Sequence, residues 1–365
     1  MSSSTSSSEA RRDSDVPTIS ADLSQSVAWG RFLRVFAGCA LVLGLGVVAG
    51  LVALDPYGAG QPVSLGQKQA TPTRPPKLNP RLAGAGRTLD PQFGGLIVGN
   101  SHSQLLDPAR IGAQSGIPFA SLSMPGTASR EQLAVLDWIA LRRGQDDRAL
   151  SALVVVLDDW WCNAQGAYET GHAFPYWLYS ADPLTYLEGL LRWESLEAAG
   201  SKLGLLLSGK APASGRADGY MDYEQEMVND RSAILARLQA PGDYHHLGDA
   251  PPPAAAALKA TLARLNSSTA VALVMTPVYA PILPAPGSVE ARRLDVCKAA
   301  FADLANSRPR TVWLDLMRET PETRDPGLFW DTSHYRSTFA RQIENILAAR
   351  LRLLHAESPH QDPPA

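Results

Sequence analysis

Apolar residues fall into three patterns along this chain: one long unbroken run, several short runs bounded by glycine or polar residues, and stretches where they recur every three or four positions. The long run is residues 35–54, VFAGCALVLGLGVVAGLVAL, 20 residues without a charge, which is the length a helix needs to cross a bilayer. The short runs are residues 94–99 (GGLIVG), 118–123, 152–157, 270–276 and 311–316. Each is a short apolar or β-branched run that reads as a strand, and the glycine-bounded run Leu96–Val98 looks like a buried strand of a parallel sheet. Helical spacing lies between them, as at Leu133, Leu136, Ile139 and Ala140. Near the C-terminus Phe339, Ile343, Ile346, Leu347 and Leu351 predict an amphipathic helix starting near Ser337. Strands alternating with helices predict right-handed crossovers and an α/β fold. Residues 164–265 are too many for one crossover. Rich in aromatic residues such as Tyr168, Trp177 and Trp193, they read as a helical insertion over the C-terminal edge of the sheet.

The flanks divide by composition. Residues 1–30, rich in Ser, Asp and Arg, are expected to be a disordered cytoplasmic tail, and residues 31–56 a membrane anchor. Residues 57–90, with PTRPPKLNP, read as a linker that holds the domain off the membrane, residues 91–355 as the domain, and 356–365 as a second disordered tail. Arg31 and Arg34 precede the long run, whereas the first basic residue after it is Lys68. The positive-inside rule therefore predicts a cytoplasmic N-terminus and a periplasmic or extracytoplasmic domain on the inner membrane. A cleaved signal peptide would carry a shorter apolar core and an A-x-A site. In a lipoprotein signal the apolar stretch comes before the cysteine, and here it follows Cys39. A buried core helix is the remaining reading of the segment.

Lys and Arg (33) nearly balance Asp and Glu (36), so no basic stripe for nucleic acid is expected. Cys39, Cys162 and Cys297 are too few for a disulfide framework or a metal cluster; Cys162 and Cys297 could pair outside the cytoplasm, which spacing alone leaves open.

Candidate chemistry sits at two places. The first strand runs into Asn100, Ser101, His102 and Ser103, where open α/β sheets put their ligands. Ser101 is either a nucleophile or a helix cap, since Ser and Asn are the preferred N-caps. In LFWDTSHYRSTF, Asp331 and His334 lie three apart just before the last helix, so the carboxylate can fix the imidazole's tautomer while its other nitrogen accepts a proton. The same spacing also suits a capping loop. His102 is the rival base, but adjacent side chains point apart.

Together these motifs resemble the SGNH, or GDSL, hydrolase superfamily, which has a serine in a G-[DN]-S motif after the first strand and a D-x-x-H before the last helix. The resemblance covers roughly residues 94 to 350. It implies a three-layer, flavodoxin-like α/β/α fold and acyl-ester chemistry, with Ser101 as nucleophile, His334 as general base and Asp331 as its orienter. Gly126, in SLSMPGTASR, looks like the family's second oxyanion block, which donates a backbone N–H. The third block, G-x-N, has no counterpart, because ALVVVL runs into DDWWCN. Asn163 is the candidate donor there, while Asp158 and Asp159 read as caps or partners for arginines. No cofactor or metal is implied. Membrane-anchored relatives that O-acylate envelope polymers share this plan, which implies an acylated polysaccharide or envelope glycan as substrate and a membrane-bound acyl-donor protein as partner.

Two alternatives stand beside this reading. GNSH is close to the G-N-H signature of metal-dependent phosphoesterases, and His245 and His246 could bind a metal; nothing upstream supplies the D-x-H those enzymes need. A non-catalytic envelope or glycan-binding protein would use the aromatic insertion and leave Ser101 as a cap.

Overall fold

A computed structural model of the chain describes residues 19–60, 79–144, 149–209 and 215–356. The chain divides into two units, residues 1–50 and 51–365. In the first, the described residues belong to helix α1 (Ile19–Leu54). Its residues Ala28–Leu54 are long and apolar enough to cross a membrane. The helix starts well before residue 31, so residues 19–30, expected within the disordered tail, are helical. Asp55 ends it in the left-handed region (φ 41°), and its carboxylate accepts from the amides of Ala59 at 3.0 Å and Gly60 at 2.9 Å. The rest of the tails lies outside the described residues.

The second unit is built on five parallel strands, β1 (Gly95–Gly99), β2 (Phe119–Ser123), β3 (Ala152–Leu157), β4 (Ala270–Met275) and β5 (Thr311–Asp315), in the order β2-β1-β3-β4-β5. These are the apolar runs of the sequence. Alternate residues serve opposite faces, which is why β1, β3 and β4 are continuously apolar and buried. Leu96, Val98, Leu153, Val155, Val271 and Leu273 face one layer, with α2 (Pro80–Thr88), α4 (Ser129–Arg143), α8 (Pro253–Leu262) and α9 (Val289–Ser307). Ile97, Val154, Val156, Ala272 and Val274 face the other, with α3 (Pro108–Ser115) and α10 (Ser337–Ala356). Helix α10 buries Phe339, Ile343, Leu347 and Leu351 as the spacing predicts, but Ile346 is exposed.

Helix α2 corrects the expected linker. Pro80 opens it, Asn79 caps it by accepting from the Arg81 amide at 2.9 Å, and its residues from Ala83 to Thr88 are buried. Its sequence, PRLAGAGRT, shows no apolar stripe. The glycines mark close approach instead: a Cβ on Gly84 would lie 2.5 Å from the Met124 Cε, and one on Gly86 would lie 2.4 Å from the Tyr57 carbonyl. Tyr57 and Ala59, which follow the apolar run, are also buried in the core, so these residues are part of the domain and not a spacer. Residues 61–78 lie outside the described part.

The insertion carries α5 (Pro183–Leu190), α6 (Trp193–Ser208) and α7 (Arg231–Arg237). Its later part covers the edge of β2, where the Ser121 amide donates to the Asp218 carbonyl at 2.7 Å. Cys162 and Cys297 form a disulfide that ties the turn after β3 to α9.

Candidate active site

The connections leave β1 and β3 in opposite directions, so the sheet's topological switch point lies at their C-terminal ends, where such sheets bind ligands. Both strands end in polar turns there. After β1 the chain bends closely back: a Cβ on Gly99 would lie 2.6 Å from the Ser103 Oγ and 2.9 Å from the Val156 Cβ, so this position requires glycine. Asn100 caps the short helical turn Ser101–Ser103, its Oδ1 accepting from the His102 amide at 3.0 Å. Ser103 Oγ donates to the Asn100 carbonyl at 2.8 Å and pairs with Ser123 Oγ at 2.6 Å. The capping role weighed for Ser101 thus belongs to Asn100.

The second motif forms a tight loop between Phe329 and Tyr335, which pair as an isolated bridge. The Asp331 carboxylate accepts from the amides of Ser333 at 2.9 Å and His334 at 2.8 Å, and its two oxygens lie 3.0 and 2.9 Å from His334 Nδ1. Burial works to raise the pKa of Asp331. The hydrogen bond and charge of His334 and the two amides outweigh burial and hold the carboxyl well below its usual range. The insertion secures this loop: Glu224 Oε1 accepts from Trp330 Nε1 at 2.7 Å and from the Ser337 amide at 3.1 Å, bridging the loop to the start of α10. Tyr223 OH donates to the Tyr335 carbonyl at 2.8 Å, and Tyr335 OH donates to the His102 carbonyl.

Ser101 and His334, 233 positions apart in the chain, meet at 2.9 Å between Oγ and Nε2. Hydroxyl, imidazole and carboxylate therefore form one continuous chain of hydrogen bonds. An ionised Asp331 takes the proton on Nδ1 as a donor, which leaves Nε2 as acceptor for the Ser101 hydroxyl. The side chains of His334 and Asp331 are 27% and 31% exposed, so the imidazole is reachable from solvent.

His102 lies beside this chain but outside it. Its ring is 4.8 Å from that of His334, and its Nδ1 faces Asp158 Oδ2 at 3.6 Å. Asp158 is buried at the end of β3 and accepts from Asn100 Nδ2 at 2.5 Å and from the Trp160 amide at 3.1 Å. It is a cap, as one sequence reading had it, and also the link between the two strand ends. Asp159 lies 3.6 Å from His246 Nε2. Burial and the neighbouring Asp158 charge push Asp159 up to about 7.

Gly126 sits in the loop after β2 with φ 66°, a backbone conformation that favours glycine, and its carbonyl accepts from Thr170 Oγ1 at 2.8 Å. Asn163 is buried, and its Oδ1 accepts from the Gln165 amide at 2.8 Å. Among the described contacts none joins either residue to Ser101. His245 and His246 diverge: His245 is exposed and pairs with Asp243, whereas the buried His246 stacks on Trp160 at 4.5 Å. Among the described residues no three or more His, Cys, Asp or Glu side chains are grouped as metal ligands.

Sequence reasoning missed Asn100 as cap and bridge, and Tyr223 and Glu224 as supports. Asn100 stood within the quoted motif, and its capping preference was the available signal. Tyr223 and Glu224 belong to no motif, and only the folded insertion brings them to the loop. No model of a known protein family matches this chain, and no curated protein matches it.

Proposed function

We propose that this protein is a membrane-anchored serine esterase or O-acyltransferase of SGNH type, with a flavodoxin-like fold, that acts on acyl esters, acetyl foremost, of an envelope or exported polysaccharide. The observation that carries the reading is the Ser101–His334–Asp331 chain, with contacts of 2.9 Å from serine to imidazole and 2.9 Å from imidazole to carboxylate. The strand order is that of flavodoxin-like sheets, and the serine stands at the switch point where such sheets bind ligands. The disulfide between Cys162 and Cys297 suits an oxidising compartment and supports a periplasmic domain behind the α1 anchor.

In this reading Ser101 Oγ attacks the ester carbonyl carbon and its proton passes to His334 Nε2. The tetrahedral oxyanion accepts from the Ser101 and Gly126 amides, with Asn163 as a further candidate donor. Collapse breaks the bond to the alcohol oxygen, which leaves with the proton held on Nε2. Water or an acceptor hydroxyl then gives its proton to Nε2, attacks the acyl-serine and restores the hydroxyl. Asp331 stays ionised throughout and stabilises the transient imidazolium. A membrane-bound acyl-donor protein would supply the acyl group in the transferase version.

Turnover of a chromogenic acetyl ester by the full chain in detergent tests this. Single alanine substitutions at Ser101 and His334 should each cost roughly 10³-fold or more, and the double variant little beyond either one. Full turnover by a folded Ser101→Ala variant would refute the proposal.

A further inference from the structure

Helix α6 divides its surface three ways. One face, with Ser195, Ala198 and Ala199, is buried in the domain. A narrow strip carries Glu194, Glu197 and Ser201, all exposed. The third face holds Trp193, Leu196, Gly200, Leu203 and Leu207, spaced three and four apart so that they share one side of the helix. That side is open to solvent: Trp193 is 71% exposed, Leu203 43% and Leu207 81%. A continuous apolar face ending in a tryptophan, with a polar strip beside it, is the pattern of a helix that lies in a membrane interface. In water such a face would be an exposed apolar patch of the kind that marks an interaction surface.

The position of α6 selects the occupant. It is bonded directly to the residues where the apolar segment ends: Lys202 Nζ donates to the Asp55 carbonyl at 2.7 Å, and Ser195 Oγ pairs with Tyr57 OH at 3.0 Å. Leu51, in the last turn of α1, is already buried in the domain core, so the domain begins within the last turn of the apolar segment. Asp55 and Tyr57 follow the end of the apolar segment by one and three residues, so α6 is bonded to chain that lies within a few residues of that end. The geometry points to a lipid surface as the partner of α6, with Trp193, Leu203 and Leu207 set into the interface of the same bilayer that α1 crosses. This docking rests on the reading of α1 as a membrane span. It is independent of the Ser101 chemistry, and it fixes the domain on the membrane at a second point. The exposed strip is acidic, and Glu197 Oε1 accepts from Trp193 Nε1 at 2.7 Å at the margin of the apolar face, so a zwitterionic lipid surface suits the docking.

The test uses the full chain in phosphatidylcholine vesicles, with Cys39→Ser removing the free thiol and an environment-sensitive fluorophore on one introduced cysteine. Leu203→Cys and Leu207→Cys probe the apolar face, Ser201→Cys the polar strip, and Val42→Cys the span. All four positions are exposed, so the fold tolerates the label. The expected result is a blue-shifted emission at positions 203 and 207 that lipids spin-labelled near the headgroup quench, with water-like, unquenched emission at 201. Water-like emission at 203 and 207 with a quenched probe at 42 would overturn the docking and leave the span standing. An unquenched probe at 42 would overturn both. Blue-shifted emission at 203 that lipid does not quench would assign the face to a protein partner and overturn the lipid proposal.

Discussion

Reducing the Cys162–Cys297 disulfide should cost the domain much of its stability without first changing its chemistry. The two cysteines lie 135 residues apart, and the loop they close contains the whole insertion and β4. Taken as a constraint on the unfolded chain, a loop of that length is worth about 17 cal/mol/K, or about 5 kcal/mol at 25 °C. Strain or residual structure in the unfolded chain lowers that figure, so it is a ceiling. Both cysteines are buried in the same apolar cluster as Trp161 and Phe301, and reduction keeps their side chains, so comparing oxidised with reduced protein isolates the link from any loss of side-chain volume. The assay is urea unfolding of the full chain in detergent, followed by tryptophan fluorescence, with and without a thiol reductant. With a urea m-value of about 3 kcal/mol/M, the reduced midpoint should fall by about 1.5 M. Ester turnover in the reduced protein should disappear together with the fluorescence transition and not before it, because Asp158 caps the turn that carries Cys162 without help from the disulfide. Midpoints agreeing within about 0.3 M, a difference of about 1 kcal/mol, would refute the argument, since the link would then constrain little of the unfolded chain.

Three further outcomes are expected. Gly126→Ala places a side chain at φ 66°, with its Cβ 3.2 Å from the His172 ring; it should cost about 1–2 kcal/mol, read as a lower thermal midpoint, and an unchanged midpoint would contradict the turn geometry. Asn100→Ala removes the amide that donates to the buried Asp158 carboxylate at 2.5 Å and should cost about 1–3 kcal/mol in urea unfolding, whereas a surface-like loss of a few tenths would contradict the bridge. Asp331→Asn keeps the shape and removes the charge: because the folded carboxyl titrates below its usual range, its stabilisation is present above about pH 4 and fades as pH falls through the folded value. The variant should therefore be less stable than wild type by about 1 kcal/mol at neutral pH and converge with it in acid, while turnover falls roughly 10⁴-fold; a deficit that grows toward acid would reverse the sign and refute the assignment.

The strands were legible because a parallel sheet covered on both faces leaves continuous apolar runs, and Leu96 to Val98 or Ala152 to Leu157 have no other comfortable place. The two ends of the hydrogen-bonded chain were legible for a different reason: Ser101 and His334 each sit where a strand or a loop meets a helix start, so position and residue type agreed. What stayed hidden depends on contacts remote in sequence. Helix α2 packs through Gly84 and Gly86, and glycines used for close approach look the same in sequence as glycines used for turns. Glu224 reaches Trp330 from 106 positions away, a contact that no local pattern carries. Asn100 and Ser101 were both plausible caps in sequence, and the hydrogen bond from the His102 amide to Asn100 assigns the cap to Asn100.

Activation of the proposed nucleophile Ser101 by His334 is read by labelling with a fluorophosphonate probe, which needs no acyl acceptor or partner protein. The full chain in detergent is treated with the probe, digested and mapped by mass spectrometry, alongside folded Ser101→Ala and His334→Ala variants. The wild type should carry a single adduct on the peptide that contains Ser101, Ser101→Ala none, and His334→Ala should label roughly 10³-fold more slowly. Equal labelling of wild type and His334→Ala, or no adduct at Ser101 in folded wild-type protein, would contradict it.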